Sequence, residues 1–77
     1  MAEVLDKLIS LSAKRYDADA SAIKAEDDIF DKLKIDSFQA VELMSELEME
    51  FDVKIPDYEL QGVRTFGALA QVIDKRR

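Results

Sequence analysis

Residues 36–57, DSFQAVELMSELEMEFDVKIPD, contain the strongest helix signal of the chain. From residue 37 to residue 51, good helix formers dominate and apolar residues recur every three or four positions. Asp36 stands at the beginning of this pattern, and Gln39 follows it three positions later, as in a capping box. We therefore predict a helix over about residues 37–51 with Asp36 as its N-cap.

Three further helices are predicted on the two sides of this segment. Residues 3–16 place apolar side chains at helical spacing. Residues 57–61 form a short candidate helix after Pro56, and residues 66–75 form another with Thr65 as its cap. No segment sustains the alternation of polar and apolar residues that indicates a strand, so we expect an all-helical chain.

Residues 17–36 are rich in Asp and lack a sustained helix pattern, which predicts a long loop with one short helical turn. A group of apolar residues in this loop favours an ordered conformation: Ile23, Ile29, Phe30 and Leu33. The sequence as a whole predicts one domain over residues 1–77. Its fold class is all-α, a four-helix bundle with a long first loop and a short third helix.

The composition restricts the chemistry that this chain can perform. Its 77 residues include no Cys, His or Trp, so disulfides are excluded, and we expect no metal site and no Ser-His or Cys-His catalytic unit. The run Asp17-x-Asp19-x-Ser21 begins like an EF-hand calcium loop, but Ala22 stands where that loop requires Gly. We predict a small acidic binding or carrier domain and not an enzyme.

The charge is concentrated in the middle of the chain. The net charge is −6, which disfavours binding to nucleic acid; residues 1–36 carry −3, residues 37–61 carry −6 and residues 62–77 carry +3. This field would steer a basic partner towards the predicted helix, although a merely solvated helix face is the alternative. Without a signal peptide or an apolar run near the ~20 residues that span a bilayer, we expect a monomeric cytoplasmic protein without membrane contact.

The predicted helix over residues 37–51 has two apolar sides. At about 100° per residue, one side collects a core-facing stripe: Ala40, Leu43, Met44, Leu47 and Phe51. The opposite side collects a second set with Glu48 at its edge: Phe38, Val41, Glu42, Ser45 and Met49. Either this second set is a docking surface for a basic, partly apolar partner, or Phe38 folds inward and Met49 is incidental.

Three motifs in this part of the chain resemble those of the acyl carrier protein family. They are Asp36-Ser37-Phe38, similar to the Asp-Ser-Leu attachment motif, then Val41-Glu42-Leu43 and Phe51-Asp52-Val53-Lys54-Ile55-Pro56-Asp57. The resemblance extends to length, acidity, helix order and the long first loop. It implies the acyl-carrier type of four-helix bundle.

The resemblance also implies a function. Ser37 would receive a 4′-phosphopantetheine arm from coenzyme A through a phosphopantetheinyl transferase, with Asp36 assisting the metal site of the transferase. The arm would carry acyl groups as thioesters to fatty-acid or related biosynthetic enzymes. The implied docking surface for basic patches of these enzymes comprises Asp36, Phe38, Val41, Glu42, Ser45, Glu48 and Met49. The implied acyl pocket comprises Met44, Leu47, Phe51, Ile55 and Leu69.

Some positions depart from the family pattern. Phe38 stands where Leu is usual, and Ser45 stands where Met is frequent. The Asp-Ser-Phe run is similar to specialised carriers, whereas the Ile-Pro-Asp segment is similar to the fatty-acid type. The function therefore stays open between a fatty-acid carrier, a D-alanyl, aminoacyl or polyketide-type carrier and, in a different class, an unmodified acidic interaction domain.

Overall fold

The fold is built from four α-helices and two 3-10 turns. The computed structural model describes the backbone of residues 2–77 and all of their side chains except those of Ala2 and Asp57. In chain order the elements are α1 (Ala2–Arg15), the first 3-10 turn (Ala20–Ala22), α2 (Ile29–Leu33), α3 (Ser37–Phe51), the second 3-10 turn (Asp57–Leu60) and α4 (Phe66–Arg76). Among the helices described, none combines the length and apolarity needed to cross a membrane.

The predicted all-α, four-helix fold is confirmed, but its short elements are distributed differently. The bounds of α3 are those predicted, and α1 and α4 differ from the predicted segments by one residue at their ends. The predicted third helix is a single 3-10 turn, because Pro56 enters it and Gln61 leaves it with extended backbone. The fourth α-helix is instead α2, which lies in the predicted loop.

α2 begins at a well-defined cap. The side chain of Asp28 accepts a hydrogen bond from the backbone N–H of Asp31 at 3.0 Å, which satisfies one of the free N–H groups of the first turn. The apolar residues of the predicted loop lie in or against the core, with Phe30 half-buried and three others buried: Ile23, Ile29 and Leu33. Their burial fixes α2 on the body of the protein.

The hydrophobic core is one cluster to which every α-helix contributes. α1 packs on α4, and the largest fully buried side chains come from these two helices and α3: Val4, Leu8, Leu43, Leu47, Phe66, Leu69 and Ile73. Ser12 is also fully buried, and its hydroxyl has no hydrogen-bond partner among the described residues. The core therefore reaches along one side of α3, which fixes the direction in which its other sides face.

The chain segments before α2 and before α4 are clipped together. The backbone N–H of Ile29 donates to the carbonyl of Arg64 at 2.7 Å, and the N–H of Gly67 donates to the carbonyl of Ala25 at 2.8 Å. A Cβ at Gly67 would lie 3.1 Å from that carbonyl oxygen, so glycine permits the close approach. The clip therefore ties the start of α2 to the start of α4.

Candidate functional site

The first turn of α3 is held by a reciprocal capping box. The Asp36 carboxylate accepts a hydrogen bond from the backbone N–H of Gln39 at 2.9 Å. In return, Gln39 Oε1 accepts from the backbone N–H of Asp36 at 3.2 Å. The predicted cap is confirmed, and the two bonds fix the start of the helix.

Ser37 is the first residue of α3, and its side chain is exposed. The backbone N–H groups of Ser37 and Phe38 have no acceptor within the helix, because the first turn lacks a preceding turn. These donors and the positive end of the helix dipole favour a negatively charged group at this position. Ser37 therefore combines an accessible hydroxyl with surroundings that suit a phosphate ester.

α1 braces this turn from outside, a feature that sequence reasoning missed. The Tyr16 hydroxyl donates to the backbone carbonyl of Gln39 at 3.0 Å, and Arg15 Nε donates to the Tyr16 hydroxyl at 3.2 Å. Arg15 also forms an ion pair with Glu46 on α3. No local signal marks the contacts of Tyr16 with Gln39 and of Arg15 with Glu46, because each joins residues more than 20 positions apart.

A groove with a volume of about 340 Å³ begins at Ser37 and runs along α3. Its wall is largely apolar and comes from α2, α3, the second 3-10 turn and α4, which provide among others Ile29, Phe30, Leu43, Met44, Leu60 and Leu69. The other apolar lining residues are Ala40, Val41, Ile55 and Val63. Ser45 and Glu48 provide polar groups beyond the one at Ser37. The arrangement is a surface groove that can take a hydrocarbon chain next to the exposed Ser37 hydroxyl.

The predicted acyl pocket needs one correction. Met44, Ile55 and Leu69 line the groove, but Leu47 and Phe51 do not. These two residues lie on the side of α3 that faces α1: Leu47 is 1% exposed, and the ring of Phe51 lies 5.3 Å from the Lys7 ammonium. Ile29 and Phe30 were not predicted as lining, although their burial within the loop was.

Glu48 has a structural partner at the rim of the groove. Its Oε2 atom accepts a hydrogen bond from the backbone N–H of Ile55 at 2.7 Å, and the side chain is half-buried. This bond ties the segment after α3 back onto the helix. Glu48 was predicted as a docking residue, and the structure places it at the boundary between that surface and the groove.

The outer side of α3 is exposed. Phe38 is 72% exposed, Val41 65% and Met49 79%, and Glu42 and Ser45 are exposed beside them. The alternative in which Phe38 folds inward is therefore wrong. Exposed apolar groups of this size next to carboxylates are typical of a protein-binding surface.

Comparison with known proteins identifies the family. A family model described as "Phosphopantetheine attachment site" matches residues 6–73. The acyl carrier protein of Chlorobium phaeovibrioides (strain DSM 265 / 1930) is 38% identical over 73 residues, which cover 95% of this chain and 90% of that protein. The chain belongs to the acyl carrier protein family. A solved acyl carrier protein from Enterococcus faecalis has the same fold, with a TM-score of 0.80 and 30% identity over 99% of this chain and 96% of that one.

Membership of the acyl carrier protein family confirms the predicted function. The chain carries acyl groups on 4′-phosphopantetheine, and it is a carrier and not an enzyme. Its partners as a family member are a phosphopantetheinyl transferase and biosynthetic enzymes, and fatty acid synthesis is the usual role of the family. In the part of the chain that the structure describes, no group of three or more His, Cys, Asp or Glu residues is placed to hold a metal ion.

Proposed function

We propose that Ser37 is the residue that carries the 4′-phosphopantetheine arm. The observation that supports this most directly is the position of Ser37, exposed at the first residue of α3 and at the beginning of the 340 Å³ groove. Its hydroxyl forms no hydrogen bond with the described residues, so it is available as a nucleophile. The residues of this site fit the arm, which supplies the thiol that the Cys-free chain lacks.

The attachment reaction uses the Ser37 hydroxyl and coenzyme A. A bond forms between Ser37 Oγ and the phosphorus that bears the pantetheine, the P–O–P bond of coenzyme A breaks, and 3′,5′-ADP leaves as the hydroxyl proton is lost. The free N–H groups of the first turn of α3 favour the resulting phosphodiester. Asp36 uses Oδ1 for the cap, and its other oxygen can contact the metal ion of the transferase.

We further propose that the groove shelters the acyl chain. Met44, Ile55 and Leu69 lie in its apolar wall, and each methylene transferred from water to such a wall gains about 0.8 kcal/mol. The flexible Met44 side chain can adapt to chains of different length. Because most of the lining is apolar, the groove favours a fatty acyl group over a small charged aminoacyl group.

The docking face, in this proposal, is the exposed side of α3 formed by Phe38, Val41, Glu42 and Met49, with Ser45 and Glu48 at its boundary. Its apolar groups can enter a partner's pocket while Glu42 meets a basic side chain. Glu42 forms no ion pair with the described residues, so its carboxylate is free to do so. We expect a cytoplasmic monomer acting as one domain, since two copies of this acidic face would repel each other.

Intact-mass spectrometry tests the attachment. Incubation of the protein with a promiscuous phosphopantetheinyl transferase and coenzyme A should add the mass of one arm. The Ser37→Ala variant should gain nothing. Ser10→Ala, which removes an exposed hydroxyl from α1 outside the docking face, is the control and should be modified like the parent. Modification of Ser37→Ala, or no modification of the parent, would refute the proposal.

A further inference from the structure

The α3 groove is apolar except at its rim, where Glu48 and Ser45 lie close together. The two residues are three positions apart on α3, so their side chains are neighbours on the helix surface. Glu48 is held in place because its Oε2 accepts the Ile55 N–H at 2.7 Å. Its Oε1 forms no hydrogen bond with the described residues. The groove thus contains a positioned carboxylate oxygen beside apolar walls.

This oxygen selects for one kind of chemical group. An ionised carboxylate accepts hydrogen bonds and donates none, so Glu48 can bind a hydroxyl but not a ketone oxygen. The half-buried position strengthens such a bond, because competing water is partly excluded. Ser45 can either donate or accept, and it can therefore bind the oxygen of the same hydroxyl. An acyl chain without an oxygen substituent leaves both residues unused.

The position of Glu48 along α3 indicates which part of the cargo reaches it. Glu48 follows Ser37 by eleven residues, which is about 16 Å along the helix axis. The arm has thirteen bonds from phosphorus to sulfur. With the length per bond of a fully extended polypeptide, it spans ~15 Å. The carbons next to the thioester are therefore the ones that can lie beside Glu48.

We propose that Glu48, assisted by Ser45, is a specificity-determining residue that binds a hydroxyl group on the first carbons of the acyl chain. The inference rests on the proposed attachment at Ser37 and on the groove as the acyl site. It assigns to this carrier a preference for sheltering 3-hydroxyacyl groups over saturated and 3-oxoacyl groups of equal length. The preference comes from the unused oxygen of Glu48 and requires no movement of the backbone.

The test compares three cargoes on the same protein. Octanoyl, 3-hydroxyoctanoyl and 3-oxooctanoyl arms are loaded by a promiscuous transferase from the corresponding coenzyme A thioesters, and loading is verified by intact mass. The 3-hydroxy form should melt above the other two by roughly 4–8 °C, the shift that one hydrogen bond of ordinary strength gives a domain of this size. The amide signal of Ile55 should also shift with the hydroxyl cargo, because its acceptor Glu48 takes a second donor.

Glu48→Gln gives the sharpest variant. Glutamine keeps an oxygen for the Ile55 N–H but offers an NH₂ group to the groove. The difference in melting temperature between the 3-hydroxy and 3-oxo forms should therefore disappear or change sign. Glu46→Gln, with the same change of charge at an exposed position of α3 outside the groove and the docking face, should keep the preference. Equal melting temperatures for the loaded forms overturn this inference alone. A mass that shows no arm at Ser37 overturns the attachment and this inference with it.

Discussion

The side of α3 that faces α1 and the side that faces the groove differ in whether their polar groups already have partners. On the α1 side, Glu46 pairs with Arg15, and Glu50 lies 3.5 Å from Lys7. A depression of about 330 Å³ lies between these helices, and both of its carboxylates are engaged in these pairs. The carboxylates of this side therefore have partners within the protein.

On the groove side, the helix presents groups that are only partly satisfied. Met44 is half-buried against a cavity of about 340 Å³, and Glu48 has one oxygen without a partner among the described residues. An apolar cavity costs stability, because the atoms around it lose their packing partners. The comparison shows how one helix can hold the fold on one side and leave the other side incomplete for cargo.

The largest effect should come from truncating a buried side chain on the side of α3 that faces α1. Leu47→Ala should cost about 2–5 kcal/mol, since Leu47 is 1% exposed and its truncation removes fully buried surface and enlarges the depression beside it. Met44→Ala should cost less than Leu47→Ala, because the Met44 side chain is only half-buried and its truncation removes less buried apolar surface. Urea unfolding of the arm-free protein measures both free energies. Leu47→Met, which keeps the volume, is the control, and equal losses for Leu47 and Met44 would contradict the distinction.

The bounds of α3 were predictable from sequence, although its contacts with α1 were not. The Asp36 cap, the Gln39 partner and the apolar period are local features, and local features fix the bounds of a long helix. For the second apolar side of α3, the sequence left two alternatives, an exposed docking surface or an inward-folded Phe38. The wheel separated Phe38 from the core stripe, and the structure decided between them.

The groove was not predictable to the same degree, for physical reasons. α2 has five residues, too few for a period to show, and it is stabilised by contacts with a segment almost 40 residues later. The helical wheel grouped Met44 with Leu47 because it gives the direction of each side chain around the helix axis. It does not show which other elements of the fold each side chain contacts. The bond between Glu48 and Ile55 depends on Asp52, which ends α3 in the left-handed conformation with φ of 54°.

A smaller effect is expected where α2 forms the groove wall. The Asp28 carboxylate accepts a hydrogen bond from the backbone N–H of Asp31 and forms an ion pair with Arg64 at 2.9 Å. These contacts lower the pKa of Asp28 below its usual 3.8. Because this pKa is lower in the folded state than in the unfolded state, ionised Asp28 stabilises the fold at any pH above its unfolded-state pKa. This stabilisation is lost as the pH falls through the folded-state pKa. Asp28→Asn keeps a capping side chain but loses the ion pair.

The Asp28→Asn variant should therefore melt a few degrees below the parent at pH 7, and the gap should close as the pH falls below about 4. Thermal unfolding followed by circular dichroism across this range measures the gap. Asp31→Asn removes a charge from an exposed neighbour and should show a smaller pH dependence. A gap that stays constant down to pH 2 would mean that the ion pair with Arg64 contributes nothing.

The smallest effect separates two glutamates one turn apart on α3. Glu42 is free to pair with a basic residue of the partner, whereas Glu46 is already paired with Arg15. Glu42→Gln should raise the dissociation constant for a basic phosphopantetheinyl transferase roughly two- to fivefold, the range of exposed ion pairs. Glu46→Gln changes the net charge equally and so controls for long-range attraction. Calorimetry in the unreactive Ser37→Ala background measures both constants. Equal weakening by the two variants would show that only net charge matters and that the two sides of α3 are not distinguished by the partner.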